Sequence, residues 1–524
     1  MKVGIDFGTT RVVVAAVDRG NYPLVNFETP DGHVRDWFPP LLAVRGEMRA
    51  YGWEAWRAQG QPSWTILRSL KRLLRNAGPH TRFEIGGQSL EIGQVMRELM
   101  EALREQLLEH STLSAKRTEP LEVMLGVPAN ANSNQRFLTT EAARDAGFEV
   151  LGLLNEPSAA AVEFAHRDRA DRKTRSEGWL MVYDLGGGTF DASLIQVGDD
   201  MHSIVASDGI PTLGGDDFDE ILAEIALTAA GVSSREQENL SASEWFTLLE
   251  ECREKKEALN PNTRKITIDL ERVRNNWREV SVAASLFYER CRPSIESTRE
   301  VVERLLTQHP EHPIDTLYVT GGGSELPPVA RILREEFGKR VRRSAYMRSA
   351  TAIGLAIRAD TQSGFVLRDQ FMRNFGLWRE TDEGRSVQFD LVFPRGTLLP
   401  APKQPPLQRV RSYRPVHNIG HFRYLECARL AEDGHPVGEI TDWDDIRFPF
   451  DPNLQDRLDL ASLPVVRTPG TKQFVVEETY TCDSSGNLAV SISNKSTGYE
   501  KTFRLGRWSA KQTKMSGRAR AHRA

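Results

Sequence analysis

Short apolar runs flank two glycine-rich acidic turns that lie far apart in the chain. The first turn is GIDFGTT (Gly4–Thr10) and the second is YDLGGGTFD (Tyr183–Asp191). Apolar runs of β type follow them at Val12–Val17 and at Ala192–Val197, and similar residues precede each turn. This arrangement is typical of a β-hairpin with the turn at its tip. The pattern therefore predicts two hairpin tips, and two such tips facing each other would form a phosphate clamp.

Apolar residues at helical spacing predict several helices between the two turns and after the second one. The predicted helices are Ser63–Arg75, Asn132–Ala146, Ser158–Ala165 and Ala242–Leu259. An apolar run at Leu121–Val127 predicts a buried strand that ends at Pro128. Asp216–Asp219, in the sequence LGGDDFD, are expected to cap the helix that follows them.

After Asp360 the pattern changes to short β-type runs separated by turn residues. The predicted strands are Val387–Phe393, Phe422–Leu430, Phe474–Tyr480 and Asn487–Ser493. The chain therefore predicts an α/β domain followed by an all-β domain.

The two glycine turns carry residues suited to a nucleotide. Glycine lacks a Cβ, so backbone N–H groups can approach phosphate oxygens closely. The hydroxyls of Thr9, Thr10 and Thr189 can donate hydrogen bonds to the same oxygens. Three carboxylates can hold a hydrated Mg²⁺, which keeps most of its water ligands; they are Asp6, Asp184 and Asp191. The pair of turns favours a nucleotide with magnesium, and the alternative is two ordinary turns.

Composition narrows the class of protein. The chain has 524 residues, of which 40% are hydrophobic, enough to bury large cores in two to four domains. Mean hydropathy is −0.44, and no apolar stretch approaches membrane-spanning length. Met1-Lys2 leads directly into a strand, which argues against a signal peptide. The four cysteines show no paired or metal-type spacing, so a reduced cytoplasm is expected. A net charge of −4 implies no polyanion, and nucleic acid is an unlikely main partner.

Six motifs together resemble one protein family. They are GIDFGTT, GVPANANSNQR, LLNEPSAAAVEFA, VYDLGGGTFD, LGGDDFD and VTGGGSELP. Their order and spacing resemble the ATPase domain of the DnaK-type chaperones, the seventy-kilodalton heat-shock family, from Met1 to about Asp360. The resemblance implies an actin-like α/β fold in which two lobes surround a deep cleft with ATP at its bottom.

The resemblance also implies roles for individual residues. The implied catalytic residues are Lys71, Glu156, Asp184 and Thr189. ATP or ADP would be held by Gly8, Thr9, Thr10, Gly186, Gly187, Gly188, Thr189, Gly214, Gly215, Lys256, Gly321, Gly322 and Gly323. Mg²⁺ would be held largely through water by Asp6, Asp184 and Asp191, and K⁺ is a further candidate ion. The alternatives are a solvated lysine on an amphipathic helix for Lys71 and a helix-capping carboxylate for Glu156.

Some residues depart from the family pattern or allow two interpretations. Arg253 stands where many members have an acid, Asn260 replaces a serine, and Glu325 replaces an arginine that often flanks adenine. These departures predict weaker ATP affinity or looser base selectivity.

Pro128 and Arg136 match residues that couple nucleotide state to the peptide domain, or else they are a strand-ending proline and a surface arginine.

The resemblance predicts a division into four parts. They are an ATPase domain at 1–360, a linker at 361–369, a β-rich peptide-binding-like domain at 370–507 and a basic disordered tail at 508–524. The linker carries the apolar patch Phe365–Leu367, and the family's helical lid is expected to be absent, so bound peptide should exchange quickly. Arg409–His421 is expected to form a loop beside the peptide groove or a solvated turn.

The resulting functional hypothesis is an ATP-dependent chaperone that binds extended apolar polypeptide segments. A J-domain cochaperone and a nucleotide exchange factor are possible partners, and no membrane is involved. Two alternatives share the clamp: an actin-like scaffold or filament protein, and a small-molecule kinase of the same fold.

Overall fold

The computed structural model describes residues 1–505 except 60, 62, 75–76, 79, 114, 117, 130, 172–177, 199–200, 365, 369, 372, 382–385, 401–403, 444, 458 and 485. The chain divides into two compact units. The first consists of Met1–Ala131 and Leu138–Leu367, and the second consists of Asn132–Phe137 and the chain from Arg368 onward. The division after Leu367 falls within 361–369, and the four domain bounds stay a prediction. The tail at 508–524 and Phe365 lie outside the described residues.

The strands up to Arg368 are short and numerous. In chain order they are β1 (Lys2–Phe7), β2 (Val12–Ala16), β3 (Phe27–Glu28), β4 (Val34–Arg35), β5 (Leu42–Arg45), β6 (Met48–Tyr51), β7 (Thr65–Leu67), β8 (Arg82–Ile85), β9 (Gln88–Glu91), β10 (Glu122–Val127), β11 (Glu149–Asn155), β12 (Gly178–Leu185), β13 (Phe190–Val197), β14 (Met201–Ile210), β15 (Lys265–Ile268), β16 (Val280–Ala283), β17 (Thr316–Thr320), β18 (Val341–Arg343) and β19 (Val366–Arg368).

The helices lie between these strands. They are α1 (Gly52–Arg57), α2 (Leu70–Leu73), α3 (Ile92–Glu109), α4 (Ser133–Asp145), α5 (Glu156–Asp171), α6 (Gly215–Ala229), α7 (Ser234–Glu238), α8 (Ala242–Glu257), α9 (Ala284–Gln308), α10 (Pro327–Phe337) and α11 (Ala350–Ala359). None of the helices in the described part of the chain is both long enough and apolar enough to cross a membrane.

Two mixed sheets organise the first unit. One has the strand order β11-β10-β1-β2 and the other β18-β17-β12-β13-β14-β19. In the first sheet β10 runs parallel to both β1 and β11, and in the second β17 runs parallel to both β12 and β18. Parallel strands covered by helices bury both faces, which explains the near-continuous apolar runs of β10 and β17. The predicted α/β class is confirmed for this unit.

Both glycine turns are hairpin tips, as predicted. β1 and β2 pair antiparallel up to Phe7 and Val12, and β12 and β13 pair up to Leu185 and Phe190. The turns thus leave four residues of the first tip, 8–11, and four of the second, 186–189, outside the ladders.

Three of the four predicted helices form near their predicted bounds, as α4, α5 and α8. For α8 the start is locally encoded: the Ser241 hydroxyl accepts from the Glu244 N–H at 3.2 Å, and the Glu244 carboxylate accepts from the Ser241 N–H at 2.8 Å. The predicted helix Ser63–Arg75 is wrong. Its first part forms β7, which pairs with β5, and only Leu70–Leu73 is helical, because Ser69 has a left-handed backbone that interrupts the helix.

The second unit is built from two antiparallel sheets. Its strands are β20 (Asn374–Thr381), β21 (Ser386–Phe393), β22 (Leu407–Tyr413), β23 (Ile419–Leu430), β24 (Pro436–Asp442), β25 (Ile446–Pro449), β26 (Val476–Cys482), β27 (Leu488–Asn494) and β28 (Tyr499–Leu505). One sheet has the order β21-β20-β23-β24, with β25 paired to β23, and the other β22-β26-β27-β28. Apolar residues from both sheets form one buried core that includes Phe375, Phe448 and Val490.

The four strands predicted after Asp360 correspond to β21, β23, β26 and β27. The loop or turn predicted for Arg409–His421 is wrong over most of its length. Arg409–Tyr413 belongs to β22, which pairs with β26, and β23 begins at Ile419. The arginines of β22 are tolerated in a strand because they lie on its exposed side or pair with acids: the Arg411 guanidinium binds Asp390 at 2.9 Å.

Candidate functional site

An open cavity lies in the first unit, and residues from both glycine turns line it. The predicted site residues that line it are Asp6, Gly8, Thr9, Thr10, Lys71, Glu156, Asp184, Gly186, Gly187, Thr189, Gly215, Lys256, Gly321, Gly322 and Gly323. The two hairpin tips, which are more than 170 residues apart, therefore meet at one cavity.

The tips are packed so closely that only glycine fits at several positions. A Cβ at Gly187 would lie 2.3 Å from Thr10 Oγ1, and a Cβ at Gly188 would lie 2.7 Å from Thr9 Cγ2. At Gly321, φ is +85° and a Cβ would lie 2.3 Å from the Leu185 carbonyl oxygen. Because of this close approach, the cavity floor between the tips is formed largely by backbone.

Carboxylates collect at this floor. Asp6 is at the end of β1, and Asp184 and Asp191 are directly opposite each other in the β12–β13 ladder. Burial and the neighbouring Glu156 carboxylate raise the pKa of Asp6 to about 7, against the opposing effect of Lys71. Burial, together with Glu156, Asp6 and Asp191, raises the pKa of Asp184 well above its ordinary value, and Lys71 opposes the shift. Like charges this close need a cation to ionise together.

One cation at this floor comes from the chain itself. Lys71 Nζ is 2.5 Å from Glu156 Oε1, and both side chains are buried. Burial lowers the pKa of Lys71, but Glu156, Asp6 and Asp191 outweigh it and raise that pKa above its ordinary value. Lys71 is therefore protonated, and Glu156 lies at the first residue of α5, where a carboxylate suits the helix dipole.

The first turn of α6 lies beside the second glycine turn. The N–H groups of Gly215 and Asp216 donate to the carbonyls of Gly186 and Gly187 at 2.9 and 2.7 Å. Asp217 Oδ2 accepts from the Gly214 N–H at 2.7 Å and so caps the helix. The capping role predicted for Asp216–Asp219 holds for Asp217 alone among the contacts described.

Asp216 and Asp219 point elsewhere. Asp216 accepts from the Ser69 hydroxyl, and Asp219 Oδ1 is 2.6 Å from Lys256 Nζ. Burial raises the pKa of Asp219 to about 6 even though Lys256 and Arg68 oppose the shift. Lys256 thus has a buried acid partner at the edge of the cavity.

A chain of ion pairs involves three further residues that line the cavity, Arg11, Glu257 and Arg348. Arg11 binds Glu257 at 2.6 Å, and Arg348 binds Glu257 at 2.8 Å. The Arg348 guanidinium also donates to Glu325 Oε2 at 2.7 Å. Burial acts to raise the pKa of Glu257, but Arg11, Arg348 and Arg253 lower it to about 2. This part of the cavity lining therefore offers both guanidinium donors and carboxylate acceptors of hydrogen bonds.

Tryptophans support two of these arginines. Trp37 lies 5.1 Å from Trp53 and 5.3 Å from Trp56 between ring centroids. The Arg11 guanidinium lies 5.1 Å from the Trp37 ring, and that of Arg253 lies 5.3 Å from the Trp56 ring. Such cation–π contacts hold planar guanidiniums in place. Arg253, which departs from the family pattern, is therefore held in a defined environment on α8.

Three predicted residues do not line the cavity. Gly188 accepts from Arg72 through its carbonyl at 3.0 Å, Gly214 packs against the backbone of Gly187, and Asp191 lies opposite Asp184 in the β12–β13 ladder. Of the three departures, Arg253 lines the cavity, whereas Glu325 reaches it through Arg348 and Asn260 is an exposed residue outside the lining.

The lining also includes residues that the sequence did not predict for the site: Arg11, Val13, Asp216, Asp219, Glu257, Thr320, Met347, Arg348 and Thr351. A local signal existed for two of them, because Arg11 directly follows the first glycine turn and Glu257 directly follows Lys256. Arg348 carried no such signal.

Comparison with known proteins agrees with this geometry. A model of the Hsp70 protein family matches residues 72–377, more than half of the chain. The chaperone protein DnaK of Thermosipho africanus is 28% identical over 96% of this chain and 79% of its own length. The chaperone protein HscA of Klebsiella pneumoniae is 27% identical over 96% of this chain and 78% of its own length.

The fold, the cleft and these relatives define the class of protein, which is an ATP-hydrolysing chaperone. The chain belongs to the Hsp70 family. The match covers most of the first unit and reaches into β20, and the relatives extend over both units.

Proposed function

We propose that this protein hydrolyses Mg²⁺-bound ATP in the cleft of its first unit, which has the two-lobed actin-like fold, and so controls binding of extended apolar polypeptides. The second unit, with its two sheets and single core, is the proposed polypeptide-binding module. One observation carries the proposal: two glycine hairpin tips, buried carboxylates and the Lys71–Glu156 pair line one cavity.

The cleft fits magnesium and phosphate. Asp6 and Asp184 are half-buried carboxylates with raised pKa values, so a divalent cation would stabilise their ionised forms. When bound, the metal neutralises charge on the phosphate oxygens. Asp6, Asp184 and Asp191 would hold the water ligands of the metal, and K⁺ stays a further candidate at the same carboxylates.

The glycine turns would hold the phosphates. Thr9, Thr10 and Thr189 would donate through their hydroxyls, and Gly8 and Gly186–Gly188 would let the backbone approach. Lys71 would stabilise the charge that develops on the transferred phosphoryl group, and Glu156 would orient the attacking water. Gly215, Lys256 and Gly321–Gly323 would form the walls around the ribose and base.

Coupling of the two units would follow from a change in the cleft on hydrolysis. We propose that this change passes through β19. This strand lies at the edge of the six-stranded sheet of the first unit, next to the division between the units. A J-domain cochaperone and a nucleotide exchange factor are proposed partners by analogy with the family. All four cysteines are free, which fits a reducing compartment such as the cytoplasm.

The test is ATPase turnover with and without a set of extended apolar peptides. We expect basal hydrolysis that requires Mg²⁺ and rises when peptides are added. Hydrolysis without any peptide response, together with pelleting on ATP addition, would favour a scaffold protein. Phosphate transfer to sugars in a coupled assay would favour a kinase.

A further inference from the structure

Ser69 has an unusual backbone conformation two residues before Lys71. Its φ and ψ angles are 58° and 38°, which place a non-glycine residue in the left-handed region. Serine pays a steric cost there, and such residues persist only where surrounding contacts hold them. Ser69 immediately precedes α2, the single helical turn that carries Lys71.

A hydrogen bond to α6 holds Ser69 in this conformation. Its hydroxyl donates to Asp216 Oδ2 at 2.8 Å. Asp216 is itself fixed, because its own N–H donates to the Gly187 carbonyl at 2.7 Å. Two short hydrogen bonds therefore connect the start of α2 to the second glycine turn.

The residues on either side of Ser69 and Lys71 strengthen the same connection. The buried Arg68 guanidinium is 3.1 Å from Glu250 and lies 5.5 Å from the Phe246 ring, both on α8. Arg72 donates to the Gly188 carbonyl at 3.0 Å and to Asp217 at 3.1 Å. The segment Arg68–Arg72 is thus attached at both ends to α6, α8 and the glycine turn, and only Lys71 reaches Glu156.

We propose that Ser69, held by Asp216, is a positioning residue that aligns the Lys71 ammonium with the phosphate-binding glycine turn. This inference rests on the role proposed for Lys71. Ser69 does not line the cleft, so it acts through Lys71 and not on the nucleotide. Without the Asp216 bond the strained residue would relax toward a right-handed backbone, and α2 would rotate with Lys71.

The test compares substitutions at Ser69 that separate backbone strain from hydrogen bonding. Alanine keeps the strain and removes the bond, glycine removes both, and asparagine tolerates the left-handed region and can still donate to Asp216. We expect Ser69→Ala and Ser69→Gly to slow single-turnover ATP hydrolysis at least tenfold, with the Kd for Mg-ADP changed less than threefold. Ser69→Asn should restore most of the rate.

A double-mutant cycle tests whether Ser69 acts through its hydrogen bond to Asp216. Asp216→Ala should slow hydrolysis as well, and the Ser69→Ala/Asp216→Ala pair should be no slower than the slower single variant. Arg19, which is also left-handed with φ 48° but is exposed in a surface turn, supplies the control: Arg19→Ala should leave hydrolysis unchanged.

Two results would overturn the inference. One is a Ser69→Ala rate within twofold of the wild type. The other is an equal loss of Mg-ADP binding and of hydrolysis, because this would show general damage to the cleft. If Lys71→Ala also hydrolyses ATP at the wild-type rate, the proposed function of Lys71 fails; if only the Ser69 variants are unaffected, the positioning role alone fails.

Discussion

At the residue scale the cleft depends on a few charges brought together in a buried place. Lys71 is the cation that the chain supplies to a floor otherwise rich in carboxylates. Its environment differs from that of a surface lysine such as Lys255, whose side chain is 40% exposed beside Glu251. A lysine buried against several acids is a costly arrangement, and perturbed charges of this kind cluster at functional sites.

The first prediction concerns Lys71. Lys71→Ala should bind Mg-ATP almost as well as the wild type, because the glycine turns and the carboxylates remain. Its single-turnover hydrolysis should slow, because the activation free energy should rise by about 2.7–4 kcal/mol, the typical cost of removing one transition-state donor. Quenched-flow measurement with labelled ATP checks this. Lys255→Ala is the control, and a Lys71→Ala rate equal to that of Lys255→Ala would remove Lys71 from the mechanism.

The second prediction concerns Asp6 and pH. Its folded-state pKa of about 7 lies above its ordinary value of 3.8, so the ionised carboxylate destabilises the nucleotide-free protein above pH 7. This cost disappears as the pH falls from 7 toward 4, because the proton is then bound. Asp6→Asn should therefore unfold at a higher temperature than the wild type at pH 8, and the difference should vanish near pH 4.

The size of this effect should be on the order of 4 kcal/mol, since each pKa unit corresponds to about 1.4 kcal/mol. Calorimetry without nucleotide measures it, and titration should show that the same variant binds Mg-ATP more weakly. Asp31→Asn is the control. Asp31 is exposed and the Thr29 hydroxyl lowers its pKa, so this variant should not be stabilised at pH 8. A destabilised Asp6→Asn at pH 8 would contradict the raised pKa.

At the element scale, α8 decides the character of the part of the cleft that holds Arg11, Glu257 and Arg348, which is the proposed base end. It presents Arg253, Lys256 and Glu257 to the cleft, and Arg11 and Arg348 meet Glu257 from other segments. α8 also inserts Phe246 into a buried cluster with Leu41 and Ala43 of the β5 region, which fixes its position across the cleft. Of the departures from the family, Glu325 belongs to the ion pairs of Arg348 and Glu257, whereas Arg253 pairs with Glu250 and helps to lower the pKa of Glu257.

The third prediction concerns base selectivity. A site rejects the wrong base when buried polar groups lose their partners. This end offers guanidinium donors and carboxylate acceptors together, so adenine and guanine can both be satisfied, at the expense of existing ion pairs. We expect calorimetric Kd values for ATP and GTP to lie within about tenfold of each other.

The matched measurement compares the Kd of ADP with the Kd of inorganic diphosphate. The ratio of the two reports how much affinity the base end contributes. We expect this contribution to be small. Tight ATP binding with strict rejection of GTP would show that the ion-pair network opens to form an adenine-specific pocket.

At the scale of the whole molecule, the chain contains two units with separate hydrophobic cores. Within the second, a fully buried Glu478 receives two hydrogen bonds from Arg379, at 3.1 and 2.9 Å, and one from the Tyr480 hydroxyl. Without Glu478, Arg379 keeps its pair with Asp390 at 3.0 Å but loses both of these hydrogen bonds, and hydrogen bonds to charged groups contribute about 1.5–3 kcal/mol each.

The fourth prediction follows from these separate cores. Calorimetry should resolve two unfolding transitions, of which Mg-ADP raises only that of the first unit, because it binds only there. Glu478→Ala should lower only the other transition. Glu477→Ala is the control, since Glu477 forms a partly exposed pair with Lys495 that contributes about 0–1 kcal/mol. A single transition that shifts with both nucleotide and Glu478→Ala would contradict independent unfolding.

Local chemistry made part of this structure predictable from the sequence alone. The hairpin tips were predictable because glycine turns between β-type runs leave few other conformations, and the strands β21, β23, β26 and β27 because their alternation is local. The start of α8 was predictable because Ser241 and Glu244 cap it within four residues. In each case the deciding interactions lie close together in the chain.

Contacts between distant residues decided the rest. Pairing of β7 with β5 and the Ser69–Asp216 bond replaced the helix predicted at Ser63–Arg75, and pairing with β26 made a strand of Arg409–Tyr413. Arg348 reaches Glu257 across 91 residues, so no local pattern could reveal that pair. Sequence periodicity records which face of an element avoids water, whereas the partners of a buried charge depend on which elements fold against it, and only the tertiary structure decides that.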